Sequence, residues 1–88
     1  MLDPNQQCQF VRLTASGIVK TGAGALSGFL VVTGTPTITL YDNTSAAGTV
    51  IINGIVTTAG TPYPVPARFI NGCYAVLGGS GDVTFFYN

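Results

Sequence analysis

The chain has 88 residues, of which only 7% are charged: three Asp, three basic residues (Arg12, Lys20, Arg68), no Glu and no His, for a formal net charge of zero. A single small domain follows from the length, and the missing imidazoles exclude Ser-His and Cys-His catalysis. Neutrality without clustered Lys and Arg argues against nucleic acid as a partner, and no run approaches the roughly 18 apolar residues of a membrane-spanning helix.

Residues 1–7 are polar, contain Pro4 and read as an N-terminal arm preceding one domain over 8–88. They lack the basic start and apolar core of a signal peptide, so synthesis in a cytoplasm is expected. Cys8 to Thr14 alternates as a first strand, with Cys8, Phe10 and Arg12 on one face and Val11 and Leu13 on the other. Ser16-Gly17 turns the chain into Ile18-Val19-Lys20, and Thr21 to Gly24 is a glycine-rich turn. In Ala25 to Thr33, period two puts Leu26, Leu30 and Val32 on one face and Phe29 and Val31 on the other. Both faces are apolar, which marks a central strand or one beneath an intersubunit contact. Gly28 and Gly34 argue against the helical alternative.

Pro36 to Asn53 carries the clearest β-hairpin. Ile38 and Leu40 alternate with Thr37, Thr39 and Tyr41; Asp42, Asn43 and Gly48 supply turn chemistry; Val50-Ile51-Ile52 returns. Asn53-Gly54 is read as a bulge or bend that lets the second arm run on to Thr57, in preference to a separate type I′ turn. Pro62, Pro64 and Pro66 force the segment around Tyr63 to be extended, as an edge strand or a surface connection. Asn71-Gly72 turns into a strand over Cys73 to Leu77, and Gly78 to Gly81 is a loop. The closing strand, Asp82 to Tyr87, has Val83, Phe85 and Tyr87 on one face. Seven or eight short strands between Gly, Pro, Asn and Ser turns predict an all-β fold: a small antiparallel β-sandwich or jelly-roll-like barrel.

No constellation of catalytic residues emerges from this order, and the chain reads as a non-enzyme without cofactor. Its three Asp fall in the arm, a hairpin tip and a strand start, so paired carboxylates would require two of Asp3, Asp42 and Asp82 to converge, which nothing in the sequence supports. Two cysteines 65 positions apart with no histidine make no zinc site. Asp42, Asn43 and Ser45 offer oxygens to calcium, but turn capping by Asp42 and Asn43 is the preferred reading. The glycine loops have neither the lysine nor the following helix of a phosphate loop. Cys8 and Cys73 lie on strands that can be neighbours, yet the expected compartment favours two reduced, buried thiols. The tyrosines suit either a core and subunit interface or a sugar-stacking platform, and Tyr63, flanked by prolines, is expected to be exposed.

Four stretches, in order, carry a resemblance: Ile18-Val19-Lys20-Thr21-Gly22-Ala23-Gly24-Ala25-Leu26; Thr39-Leu40-Tyr41-Asp42-Asn43-Thr44 continuing to Ile51; Phe69-Ile70-Asn71-Gly72-Cys73-Tyr74; and Val83-Thr84-Phe85-Phe86-Tyr87. Over residues 17–88 the chain resembles small tailed-phage virion proteins, the capsid decoration (cement) proteins and head-fibre modules. Cys73 stands where that pattern has an apolar residue. The resemblance implies a β-sandwich that oligomerises on the outer capsid surface. The expected partners are the major capsid protein and further copies of itself, a trimer in preference to a dimer, with the protein resident in the virion. The alternative is a fibre or adhesion module that holds a host glycan or protein. Arg12, Lys20, Tyr63 and Arg68 are the candidate partner contacts.

Overall fold

The computed structural model describes residues 9–88; the arm expected over 1–7, and Cys8, lie outside the described residues. The hairpin at Pro36 is the innermost element. Its arms are β4 (Thr37–Asp42) and β5 (Thr49–Val56), joined by the turn over residues 43–48. Ile38 and Leu40 are wholly buried, as the alternation requires. Asn43 closes the turn: its Oδ1 accepts from the Thr44 amide at 2.8 Å and its Nδ2 donates to the Ala47 carbonyl at 3.0 Å. The second arm does run on through Asn53-Gly54, where Gly54 adopts φ 61° and its amide donates to Thr39 Oγ1 at 3.0 Å.

Three further strands precede the hairpin: β1 (Gln9–Leu13), β2 (Gly17–Thr21) and β3 (Gly24–Gly34). Three follow: β6 (Pro62–Phe69), β7 (Gly72–Gly78) and β8 (Gly81–Tyr87). They pair from the hairpin outward, β3 with β6, β2 with β7 and β1 with β8, all antiparallel. The chain is in effect one long hairpin rolled up. Lateral pairs β3–β8 and β4–β7 gather it into two four-stranded sheets, ordered β1-β8-β3-β6 and β2-β7-β4-β5. This nested pairing of eight strands in two sheets is the jelly-roll arrangement of the β-sandwich. Every connection except the β4–β5 turn carries the chain from one sheet to the other.

The core lies between the sheets. On the first sheet Phe85, Phe29 and Tyr63 occupy one row across β8, β3 and β6. Phe29 stacks on Tyr63 at 5.2 Å between centroids and tilts against Phe85 at 5.4 Å. Such pairs are worth about 0.5–1.5 kcal/mol beyond their burial. Ile38, Leu40, Cys73, Ala75 and Leu77 face them from the second sheet. Two connections are fastened by one buried side chain: Thr57 Oγ1 donates to the Pro36 carbonyl.

Strict alternation fails in β3. Leu26 lies in the core with Phe29 and Val31, not on the face of Leu30 and Val32. Against β8 the register shifts between Leu26 and Gly28, where β3 carries one extra residue, and this reverses the parity. Gly28 makes the bulge possible: its φ is 152°, and a Cβ there would collide with the Tyr63 carbonyl oxygen.

Candidate functional site

Three of the four stretches that carry the sequence resemblance meet at one end of the sandwich. Asp42, at the end of β4, reaches the β6–β7 turn instead of capping its own, accepting from the amides of Ile70 at 3.0 Å and Asn71 at 2.8 Å. Gly72 follows that turn with φ 147° and fits between neighbours. A Cβ there would lie 2.9 Å from the Lys20 carbonyl oxygen and 3.0 Å from Thr44 Cγ2. Lys20 Nζ in turn donates to the Ala23 carbonyl at 2.7 Å, closing the β2–β3 turn. The motifs thus interlock three turns. Their polar groups are engaged with backbone, so the cluster holds the fold together and presents no free chemistry.

Cys73 sits directly beneath this clamp, a free thiol with no exposed surface. Burial pushes its pKa up from 9.0 to about 11, and the negative charge of Asp42 pushes in the same direction. The thiol therefore stays protonated and behaves as a small apolar side chain. Among the described residues there is no group of three or more His, Cys, Asp or Glu side chains able to hold a metal ion.

The four candidate contact residues are spread over the molecule. Arg12 stands on the outer face of β1 and grips Asp82 of β8: Nε to Oδ1 at 2.9 Å and Nη2 to Oδ2 at 2.8 Å. Lys20 is committed to its turn, as above. Tyr63 is half-buried rather than exposed, because in the edge strand β6 the prolines take the outward positions and Tyr63, Val65 and Ala67 turn inward. Its hydroxyl accepts from the Thr58 amide at 2.8 Å. Arg68 is exposed at the far end of β6, beside Ala23, Ala25 and Asn88, and forms no ion pair among the described residues.

The features that do converge are apolar, and periodicity along single strands does not reveal them. Each sheet carries on its outer face a row that runs across strands. On the first sheet Phe10, Phe86, Gly28 and Pro64 are consecutive cross-strand neighbours. On the second they are Ile18, Tyr74, Tyr41 and Val50. Phe10 is 68% exposed. Beside Gly28 an open groove of about 560 Å³ is walled by Leu30, Pro62, Pro64 and Phe86.

Meanwhile all four open sheet edges are blunted. Among the described residues the edge strand β1 has five, and β2 has five with a bulge between Ile18 and Lys20. β5 is bulged twice against β4. In β6 the three prolines sit at alternate positions, so every missing donor falls on one side of the strand. With β3 bonded on the other, that side is the open edge. Short, bulged or proline-bearing edges resist strand addition.

Comparison of the chain with protein-family models, with curated proteins and with solved structures finds no match.

Proposed function

We propose that this chain is a structural virion protein, a capsid decoration (cement) protein that sits as a homo-oligomer on the outer surface of a phage capsid, binds the major capsid protein and stiffens the shell. The observation that carries the reading is the pair of apolar cross-strand rows, one on each broad face of a domain with almost no charge. A soluble monomer keeps large apolar patches off its surface and relies on charge to stay apart from its copies. This chain does neither, and its edges are closed to strand addition. Covering both faces, one with its own kind and one with a shell, resolves that imbalance. The jelly roll is an architecture that capsid domains share with lectins and cupins, so the fold supports the reading by analogy and the surfaces argue it.

Many weak contacts repeated over a capsid add through multivalency, so each can be modest. Among the described residues, with Arg12 bound to Asp82 and Lys20 bound to its own turn, Arg68 is the basic side chain left to make an ionic contact. Attachment should therefore change little between low and high salt.

The test is to delete the gene, or strip the protein from particles, and measure capsid survival on heating. Shells lacking it should open at a lower temperature, and adding purified protein should restore them. Unchanged shell stability, with the protein found instead as a protruding and dispensable fibre, would replace this reading with the adhesion module.

A further inference from the structure

We propose that two copies of this chain pair face to face through the outer surface of the β1-β8-β3-β6 sheet, about a two-fold axis lying along β8, with Phe10 of each copy seated in the Gly28 groove of the other. The proposal rests on the self-association half of the functional reading and is independent of the capsid half.

Area selects the face. The domain measures 35 × 30 × 16 Å, so a broad face offers on the order of 1,000 Å², above the roughly 800 Å² per partner that a stable complex buries. A narrow side offers about half of that and is lined by the blunted edges. Among the described residues, this sheet carries both a projection and a hollow on its outer face. Phe10 projects from β1, 68% exposed, while an open groove lies beside Gly28 on β3, walled by Leu30, Pro62, Pro64 and Phe86.

Symmetry then fixes the match. β1 and β3 flank β8 in the sheet, and Phe10, Phe86 and Gly28 stand in one row. Neighbouring strands lie about 4.8 Å apart, so knob and hollow are about equally distant from Phe86, on opposite sides. A two-fold axis along β8 brings β1 of one copy over β3 of the other. Both aromatic knobs enter both hollows at once, and Phe86 meets its own equivalent. The contact is isologous and closes on itself. It also buries aromatic rings at its centre, where association free energy concentrates. The charges fit the same arrangement: Asp82 lies on the axis strand, and its carboxylate is already neutralised by Arg12 of its own chain.

The experiment uses the full chain, purified without capsids. Sedimentation should find two-chain particles at micromolar concentration, and Phe10→Ser should weaken association by at least about ten-fold. Tyr74→Ser, on the opposite face, should leave it unchanged. In a Cys8→Ser background, Thr84→Cys places a thiol on the axis strand, and a short bis-maleimide spanning the roughly 10 Å between packed sheets should link it to its equivalent in the other copy. Val76→Cys, on the outer face of the other sheet, should not cross-link. Phe10 is exposed in the single chain, so at concentrations low enough for both proteins to be unassociated Phe10→Ser should unfold at the parent temperature. The proposal is overturned if the parent chain sediments as a single chain and Thr84→Cys does not cross-link, or if a three-chain species forms that Phe10→Ser does not disturb. Neither outcome bears on whether the protein stiffens a shell.

Discussion

Asp42 is bonded to Asn71: its carboxylate oxygen accepts from the Asn71 amide at 2.8 Å, across 29 positions of sequence, and from the neighbouring Ile70 amide at 3.0 Å. One side chain thereby ties the central hairpin to the β6–β7 turn. Hydrogen bonds to an ionised group are worth about 1.5–3 kcal/mol, and two amides lose their acceptor when it goes. Asp42→Ala should destabilise the domain by about 2–3 kcal/mol and lower its Tm by roughly 10 °C or more, at 4–8 °C per kcal/mol for a chain of this size. Asp42→Asn, which keeps one acceptor, should lose less. Urea unfolding of the three proteins measures the order; equal midpoints would remove the clamp from the account.

Cys73 gives a pH signature. In the unfolded chain the thiol loses its proton near pH 9; in the folded protein, burial and Asp42 delay this to about 11. Between those values the unfolded state binds fewer protons than the folded one, so stability is intact below pH 9 and falls as pH rises toward 11. Cys73→Ala should remove that part of the alkaline slope, although it costs some stability at neutral pH through lost packing. Labelling gives a second readout. At pH 8, iodoacetamide should leave Cys73 unmodified in the native protein and modify it fully in denaturant, as peptide mass spectrometry would report.

Gly28 and Gly79 separate two costs of replacing glycine. Both have positive φ, at 152° and 89°, but only at Gly28 does a Cβ meet backbone, that of Tyr63 and Pro64. Gly79→Ala should cost about 1–2 kcal/mol, the penalty for placing an L-residue in that conformation. Gly28→Ala adds a collision that only displacement of β6 relieves, and should cost more than about 3 kcal/mol or prevent folding. Comparable losses at the two positions would show that β6 moves away freely.

Thr57 is wholly buried and its hydroxyl donates to the Pro36 carbonyl. Thr57→Val keeps the shape and strands that carbonyl, with a loss of about 1–3 kcal/mol. Thr57→Ser keeps the donor and should recover most of it. Thermal unfolding distinguishes the two variants.

Much of the fold was legible in the chain because its signals are local. Alternation at Ile38 and Leu40, turn chemistry at Asn43 and Gly48, and prolines at alternate positions of β6 each act over a few residues, and each strand formed where those signals fell. The bend at Asn53-Gly54 followed from the same kind of reading. The parity of Leu26 did not. Period two assumes an uninterrupted ladder, and the bulge at Gly28 is set by the close approach of the Tyr63 carbonyl from another strand. Tyr63 departs from expectation for a related reason: its flanking prolines suggest exposure, while the parity of an edge strand over a core turns the ring inward onto Phe29.

Composition by itself determined that this is a small, nearly uncharged, histidine-free chain, because those are sums over residues and need no geometry. Only the tertiary structure decided where its exposed apolar side chains gather. Phe10, Gly28, Pro64 and Phe86 are far apart in sequence and belong to four strands, and they become neighbours only once β1, β8, β3 and β6 are laid side by side. A row across a sheet is written in the register between strands, and register is a property of pairing that no single segment contains.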